Sequence, residues 1–258
     1  MRRAVFNQKG GVGKSTIAVN LAAVGAAEGR RTLVVDLDPQ CNATQYLLGE
    51  EARRLPTTLL DYFESHLYLT FRSRSPEEFV HPTPFENLSI LPAHPELEEI
   101  EDKLESRYKM FKLRDLLRSL DGFQEVYMDT PPAFNFYSRS ALLAADSCLV
   151  PFDCDRFSRN ALYTLLENIA EIRRDHNPDL RMEGIVVNQY QARARLPRKI
   201  VEELVAEGLP VLKTYLSSSV VVRESHDKAC PLIHLDPRHK LAEEFRALHG
   251  ELKAASAS

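Results

Sequence analysis

An α/β fold, a mostly parallel twisted sheet with helices on both faces, is what this sequence predicts. Three observations carry that expectation. Short runs rich in Val and Ile alternate with longer amphipathic stretches along the chain, the rhythm of strand–helix–strand units. The runs are too brief to be helices and are bounded by them, as strands covered on both faces are. A glycine-rich loop stands between the first such run and the first helix. With 258 residues, 44% of them hydrophobic, the chain is long enough to bury a large core, and a single domain over residues 1–258 is expected.

Taken in order, the predicted strands are Ala4–Phe6, Thr32–Val35, Leu88–Leu91, Glu125–Met128, Cys148–Pro151, Gly184–Val187 and Val211–Thr214. The predicted helices are Ser15–Glu28, Pro95–Leu120, Asn160–Asp175, Leu196–Gly208 and Pro237–Leu252. In the second of these, Leu97, Leu104, Tyr108 and Phe111 recur at helical spacing and are followed by Leu113, Leu116, Leu117 and Leu120, a stripe that reads as core packing. Residues 50–87, with a short helix at Thr57–His66 and prolines at 76, 82 and 84, read as a less regular insertion between sheet strands. The Ala/Ser tail, Ala254–Ser258, is expected to be disordered.

Lys and Arg number 33 against 37 Asp and Glu, a net charge of −4, so bulk charge draws the chain to neither nucleic acid nor anionic lipid, and any such partner needs a local patch. The cysteines at 41, 148, 154 and 230 form no CxxC pair, which fits a reducing compartment rather than a disulfide scaffold. The start of the chain lacks the apolar run of a secretory signal, and no window is apolar enough for a membrane span. A cytoplasmic protein is expected. His226, Cys230 and His234 are spaced by four, but Pro231 between them spoils a helical metal face. No elbow or cysteine–histidine signature offers a covalent nucleophile.

The chemistry concentrates at the first loop. Strand Ala4–Phe6 runs through Asn7-Gln8-Lys9-Gly10-Gly11-Val12-Gly13-Lys14-Ser15-Thr16 into a helix. Three glycines within four positions let backbone N–H groups converge as a nest, and the helix points its positive end at the same place, which suits a polyphosphate. Lys14 would then reach the β- and γ-phosphates, the Ser15 hydroxyl would ligate Mg²⁺, and Thr16 would add a hydroxyl to the α-phosphate. Carboxylates stand at two further strand ends, Asp36-Leu37-Asp38-Pro39-Gln40 and Asp129-Thr130-Pro131-Pro132. In an open parallel sheet the carboxyl edge is where ligands bind, so Asp36, Asp38 and Asp129 should gather near the loop, where acids hold Mg²⁺ or orient water. The lesser reading of Asp36 and Asp38 is helix capping or turn formation before Pro39.

The position five before Gly13 is Gln8, so the strict phosphate-loop pattern fails, and Lys9-Gly10-Gly11-Val12-Gly13-Lys14-Ser15-Thr16 instead resembles the deviant Walker A motif of the ParA/MinD ATPases, a branch of the P-loop NTPases. The resemblance covers almost the whole chain. It implies an ATP- and Mg²⁺-dependent ATPase in which Lys9 contacts nucleotide bound by the partner subunit of a sandwich homodimer. It further implies that Asp129 acts on the metal through water and that Asp38 positions or activates the hydrolytic water, with Asp36 assisting the metal's outer shell. Cys41 stands where the family usually has glycine. Asn188, ending a strand, resembles the residue that recognises adenine, flanked by the stretch around Pro210 to Lys213; an asparagine there is also an ordinary turn residue.

Arg193, Arg195, Arg198 and Lys199 fall within seven residues, with no acid from Gly184 to Val201. Such a cluster could hold double-stranded DNA without base specificity, or simply be a solvated loop and helix start. The family resemblance favours DNA. Of the stretch Leu216–Arg223, where chromosomal relatives are basic, only Arg223 is basic here, Ser218 and Val221 being uncharged. Since the phosphate loop begins at residue 9, no N-terminal helix-turn-helix is expected. The function implied is an ATP-dependent partitioning or positioning ATPase, nucleoid-associated, released from DNA when a ParB-like or cargo-adaptor partner with a basic N-terminal segment stimulates hydrolysis. A MinD-like membrane ATPase is the alternative, disfavoured by Glu243, Glu244 and Glu251 in the last helix. An iron-protein-like redox ATPase lacks its cluster cysteines after Asp129.

Overall fold

In the computed structural model, residues 1–68, 74–154 and 158–256 are described. Seven strands, β1 Arg2–Val5, β2 Thr32–Asp36, β3 His81–Pro82, β4 Leu88–Leu91, β5 Glu125–Asp129, β6 Ser147–Asp153 and β7 Arg181–Asn188, form one sheet. Its order is β3-β4-β2-β5-β1-β6-β7, and every pairing is parallel except β3 with β4. The helices are α1 Lys14–Ala27, α2 Asn42–Leu48, α3 Leu59–Leu67, α4 Leu97–Ser106, α5 Lys112–Ser119, α6 Phe136–Ala144, α7 Ser158–Asp175, α8 Arg195–Ala206, α9 Val221–Asp227, α10 Leu232–Leu235 and α11 Lys240–Ser256.

Period-two alternation divides the core between the two faces. Ala4, Leu33, Val35, Val126, Met128, Val150 and Val187 join the cluster shared with α3 to α8. Val5, Val34, Tyr127, Leu149 and Val186 join the one shared with α1, α2, α10 and α11. The middles of the central strands are apolar on both sides because each face of the sheet has its own layer of helices. No helix among the described residues is long and apolar enough to cross a membrane.

Several expectations are corrected. The stretch Pro95–Leu120 is two helices, because α4 ends in a left-handed turn at Tyr108 (φ 55°). There Lys109 N–H bonds Leu104 O and Tyr108 N–H bonds Glu105 O, the paired C-terminal bonds that glycine usually permits. Tyr108 is consequently 84% exposed rather than part of the core stripe. Val211–Thr214 is not a strand: Leu212 N–H reaches Ile185 O, but the Lys213 and Thr214 N–H groups are taken by the Glu251 carboxylate of α11. Residues 50–87 are more regular than expected, supplying β3 and the buried Leu59, Tyr62 and Phe63 of α3, though residues 69–73 lie outside the described ones. The tail prediction fails for 254–256, since alanines are good helix formers and α11 continues through them; residues 257 and 258 lie outside the described ones.

Candidate nucleotide and metal site

β2, β5 and β1 lie side by side, and their carboxyl ends bring three chain segments together. Asp129 is in register with Val5 on one side and with Asp36 on the other, so neighbouring-strand spacing of about 5 Å separates the two acid-bearing backbones. The loop Gly10–Gly13 leaves β1 at the same level. Gly11 and Gly13 adopt φ of 75° and 90°, the left-handed region that an L side chain disfavours. Space also demands glycine at 13, because a Cβ there would lie 2.3 Å from the Asn188 amide nitrogen.

Side-chain amides tie the loop to distant strands. Asn7 Nδ2 donates to Pro151 O at 2.7 Å, and Asn7 Oδ1 accepts from Lys9 N–H at 2.9 Å. Asn188 donates to Val12 O at 2.8 Å and Gln189 to Gly11 O at 3.0 Å. With carbonyls of the loop drawn outward onto these amides, its N–H groups are left to face a ligand. Lys14 is buried, with Nζ 3.0 Å from Lys9 O. Burial lowers its pKa, opposed by the charges of Asp129 and Asp38.

The carboxylates divide into two kinds. Both Asp36 oxygens are engaged: Oδ2 accepts from Thr44 N–H at 2.8 Å and Thr44 Oγ1 at 2.7 Å, and Oδ1 from Asp38 N–H at 3.1 Å. Asp36 therefore braces the turn into α2. Burial pushes its pKa up to about 6 against those hydrogen bonds. Asp38 Oδ1 accepts from Gln40 N–H at 3.0 Å, the turn bond that aspartate readily makes. Asp129 is different. It is fully buried and neither oxygen has a hydrogen-bond partner, although the Ser15 hydroxyl faces it. Burial and then the Asp36 charge raise its pKa well above the usual carboxylate range. An unpartnered buried carboxylate facing a hydroxyl offers oxygen donors that suit a hard divalent cation with its waters. Mg²⁺ therefore fits Asp129 and Ser15.

Beside the loop lies a cavity of about 330 Å³ lined by Gly13, Thr16, Asn188, Gln189, Ser217–Val220, Val222 and Arg223. Pro210 is not among them. Its carbonyl accepts from Ile185 N–H, three residues before the end of β7, so the chain reaches the edge only where Tyr190 pairs with Ser217. The serines 217–219 were missed as site residues, since nothing local marks them. Also missed was His226, whose Nε2 lies 3.0 Å from Thr16 Oγ1 and whose ring stacks on Tyr46. His234 stacks instead on Phe85, so the spaced His226, Cys230 and His234 go to different places. Cys41 has φ 55°, a conformation that glycine adopts without strain.

The basic residues of the candidate DNA patch are all on the surface. Arg193, Arg195, Arg198, Lys199 and Arg223 are exposed, but Arg198 pairs with Glu202 at 2.9 Å and Lys199 with Glu203 at 3.7 Å. Acids one turn further along α8 thus offset part of the patch.

Residues 3–182 match the family described as AAA domain. Over 253 residues the chain is 36% identical to the chromosome partitioning protein ParA of Myxococcus xanthus, covering 96% of this chain and 86% of that protein. It is 34% identical to the chromosome-partitioning ATPase Soj of Thermus thermophilus, covering 98% and 95%. Among solved structures, cobyrinic acid a,c-diamide synthase of Mycobacterium smegmatis, with bound ADP and magnesium, superposes with a TM-score of 0.84 at 27% identity, covering 99% of this chain and 95% of that one.

Proposed function

The chain belongs to the ParA-type partition ATPases of the deviant Walker A P-loop family, and from that premise we propose that it binds Mg²⁺ and ATP in the Gly10–Thr16 loop and hydrolyses the nucleotide as a DNA-bound homodimer. The observation that carries this reading is Asp129, a buried carboxylate with both oxygens unpartnered, set beside Ser15 and Lys14.

The loop N–H groups and Lys14 would hold the phosphates, and Ser15 and Asp129 would hold the metal. Mg²⁺, when bound, neutralises phosphate charge that the two neighbouring aspartates would otherwise repel. Asp38 would orient the attacking water through the oxygen its turn bond leaves over. Lys9 would reach nucleotide in the second subunit, so that ATP favours the dimer. Pairing two patches of Arg193, Arg195, Arg198, Lys199 and Arg223 then raises affinity for DNA of any sequence. A partner with a basic segment, bound to plasmid, chromosome or protein cargo, would stimulate hydrolysis and release the dimer. The apolar face of α11 is already packed, with Leu248 and Leu252 buried, which favours DNA over a membrane as the surface.

Lys14→Ala should abolish Mg²⁺-dependent ATP binding by titration calorimetry. Asp38→Ala should retain binding, lose turnover and accumulate as a dimer on size exclusion with ATP. An Asp38→Ala chain that stays monomeric with saturating ATP would refute the dimer.

A further inference from the structure

Behind the phosphate loop, a set of buried polar groups joins α1, α2, α9 and α10. Asn20 of α1 is saturated: its Nδ2 donates to Thr16 O at 2.8 Å and to Tyr46 OH at 3.0 Å, and its Oδ1 accepts from Leu232 N–H at 2.8 Å. Ser225 Oγ donates to Cys230 O, so the short contact between Tyr46 OH and Ser225 Oγ must have the tyrosine as donor. Every proton in that chain therefore has one direction, from Asn20 through Tyr46 and Ser225 to the Cys230 carbonyl.

One bond in the set has no fixed direction. Thr16 Oγ1 and His226 Nε2 are 3.0 Å apart, and either can donate. The His226 ring lies flat on Tyr46, with centroids 3.8 Å apart and planes at 22°, so it cannot turn away without unstacking. Burial lowers its pKa, keeping the ring neutral with a single proton to place.

Resting on the nucleotide reading above, we infer that His226 is a positioning residue that makes the Thr16 hydroxyl a donor toward the nucleotide's phosphates and so ties α9 to nucleotide occupancy. A hydroxyl has one proton and a phosphate oxygen can only accept. When phosphate takes that proton, Thr16 can meet His226 only as an acceptor, and the imidazole must carry its proton on Nε2. Nucleotide thus resolves the one undirected bond, and the resolved bond holds α9 against α1. α9 carries Val222 and Arg223, which line the cavity beside the loop. Because coupling is reciprocal, anything that binds Arg223 and steadies α9 raises nucleotide affinity by the same factor.

The test is a double-mutant cycle read by titration calorimetry with Mg²⁺-ADP, which binds without turnover. His226→Leu should weaken binding about 5- to 10-fold, the loss of one hydrogen bond of about 1 kcal/mol or slightly more. His226→Gln, which retains an N–H donor, should recover most of it. In a Thr16→Val background His226→Leu should change affinity less than about twofold, because the hydroxyl it acts through is gone. A purely structural role would give the same loss in both backgrounds and would overturn the inference, as would wild-type affinity in His226→Leu. Should the histidine variants not fold, amide exchange decides: residues 221–228 should gain protection with Mg²⁺-ADP in the unaltered chain and not in Thr16→Val, and equal protection in both refutes the coupling. Absence of Mg²⁺-ADP binding by the unaltered chain would instead overturn the nucleotide reading itself.

Discussion

The two edges of the sheet bury charge in opposite ways. At the amino edge, Arg3 forms a fork on Glu183 at 2.9 and 3.0 Å, Glu183 also accepts from Ser147 at 2.7 Å, and Glu125 meets Arg30 at 3.0 Å and His249 at 2.9 Å. Burial alone would raise the Glu125 pKa, yet the His249 hydrogen bond and the charges of His249, Arg3 and Arg30 bring it down to about 2. At the carboxyl edge, Asp129 is buried but unpartnered, and its pKa goes up. Two buried acids with opposite shifts separate a network that completes itself within the fold from one that is completed by a ligand.

The sharpest way to break the comparison is to remove one acid from each edge. Glu125→Gln should destabilise the chain by up to about 3 kcal/mol at pH 7. Because its folded pKa is depressed, that stability is present above the unfolded value of 4.5 and is lost as pH falls toward about 2, so urea midpoints of variant and unaltered chain should converge in acid. Asp129→Asn should do the reverse, stabilising the ligand-free chain at pH 7. A raised folded pKa weakens the fold above the ordinary carboxylate range, so this gain should vanish below about pH 4. A loss of stability in Asp129→Asn would place it with the self-completed network.

Two smaller effects sharpen the same distinction between paired and unpaired groups. Removing Arg193 and Arg195, for which the described residues supply no ion pair, should flatten the salt dependence of the proposed DNA binding by a slope of about 2 per subunit. Removing Arg198 and Lys199, already paired with Glu202 and Glu203, should flatten it by less. Cys41→Gly, relieving the left-handed backbone at φ 55°, should raise the thermal midpoint by a few degrees, equivalent to about 1 kcal/mol.

What was legible in the sequence was what neighbouring residues settle among themselves. β1, the phosphate loop and α1 form one continuous stretch, and Asp129 follows its strand directly, so Lys14, Ser15 and Asp129 meet as their positions suggest. Pairings across the chain were not legible. Glu251 removes Lys213 and Thr214 from the sheet from 38 and 37 residues away, and no periodicity shows that. α6 was hidden because its signal is a cap, Asn135 accepting from Ser138 N–H, ahead of only nine residues. Asn188 was placed correctly at a strand end, but its amide holds the loop carbonyl of Val12, a bond that depends on both ends of the chain. His226 stood out for its spacing to Cys230 and His234, while its actual partners, Thr16 and Tyr46, lie on helices at the other end of the sequence.

The central claim is that the carboxyl edge is completed by a magnesium-bound nucleotide held at Asp129. The most direct measurement is the ratio of ADP affinity in Mg²⁺ to that in EDTA, taken for the unaltered chain and for Asp129→Asn by titration calorimetry at pH 7. A ratio of at least about tenfold that falls toward one in the variant is the predicted result, corresponding to about 1.4 kcal/mol of metal contribution. An unchanged ratio in Asp129→Asn would contradict it.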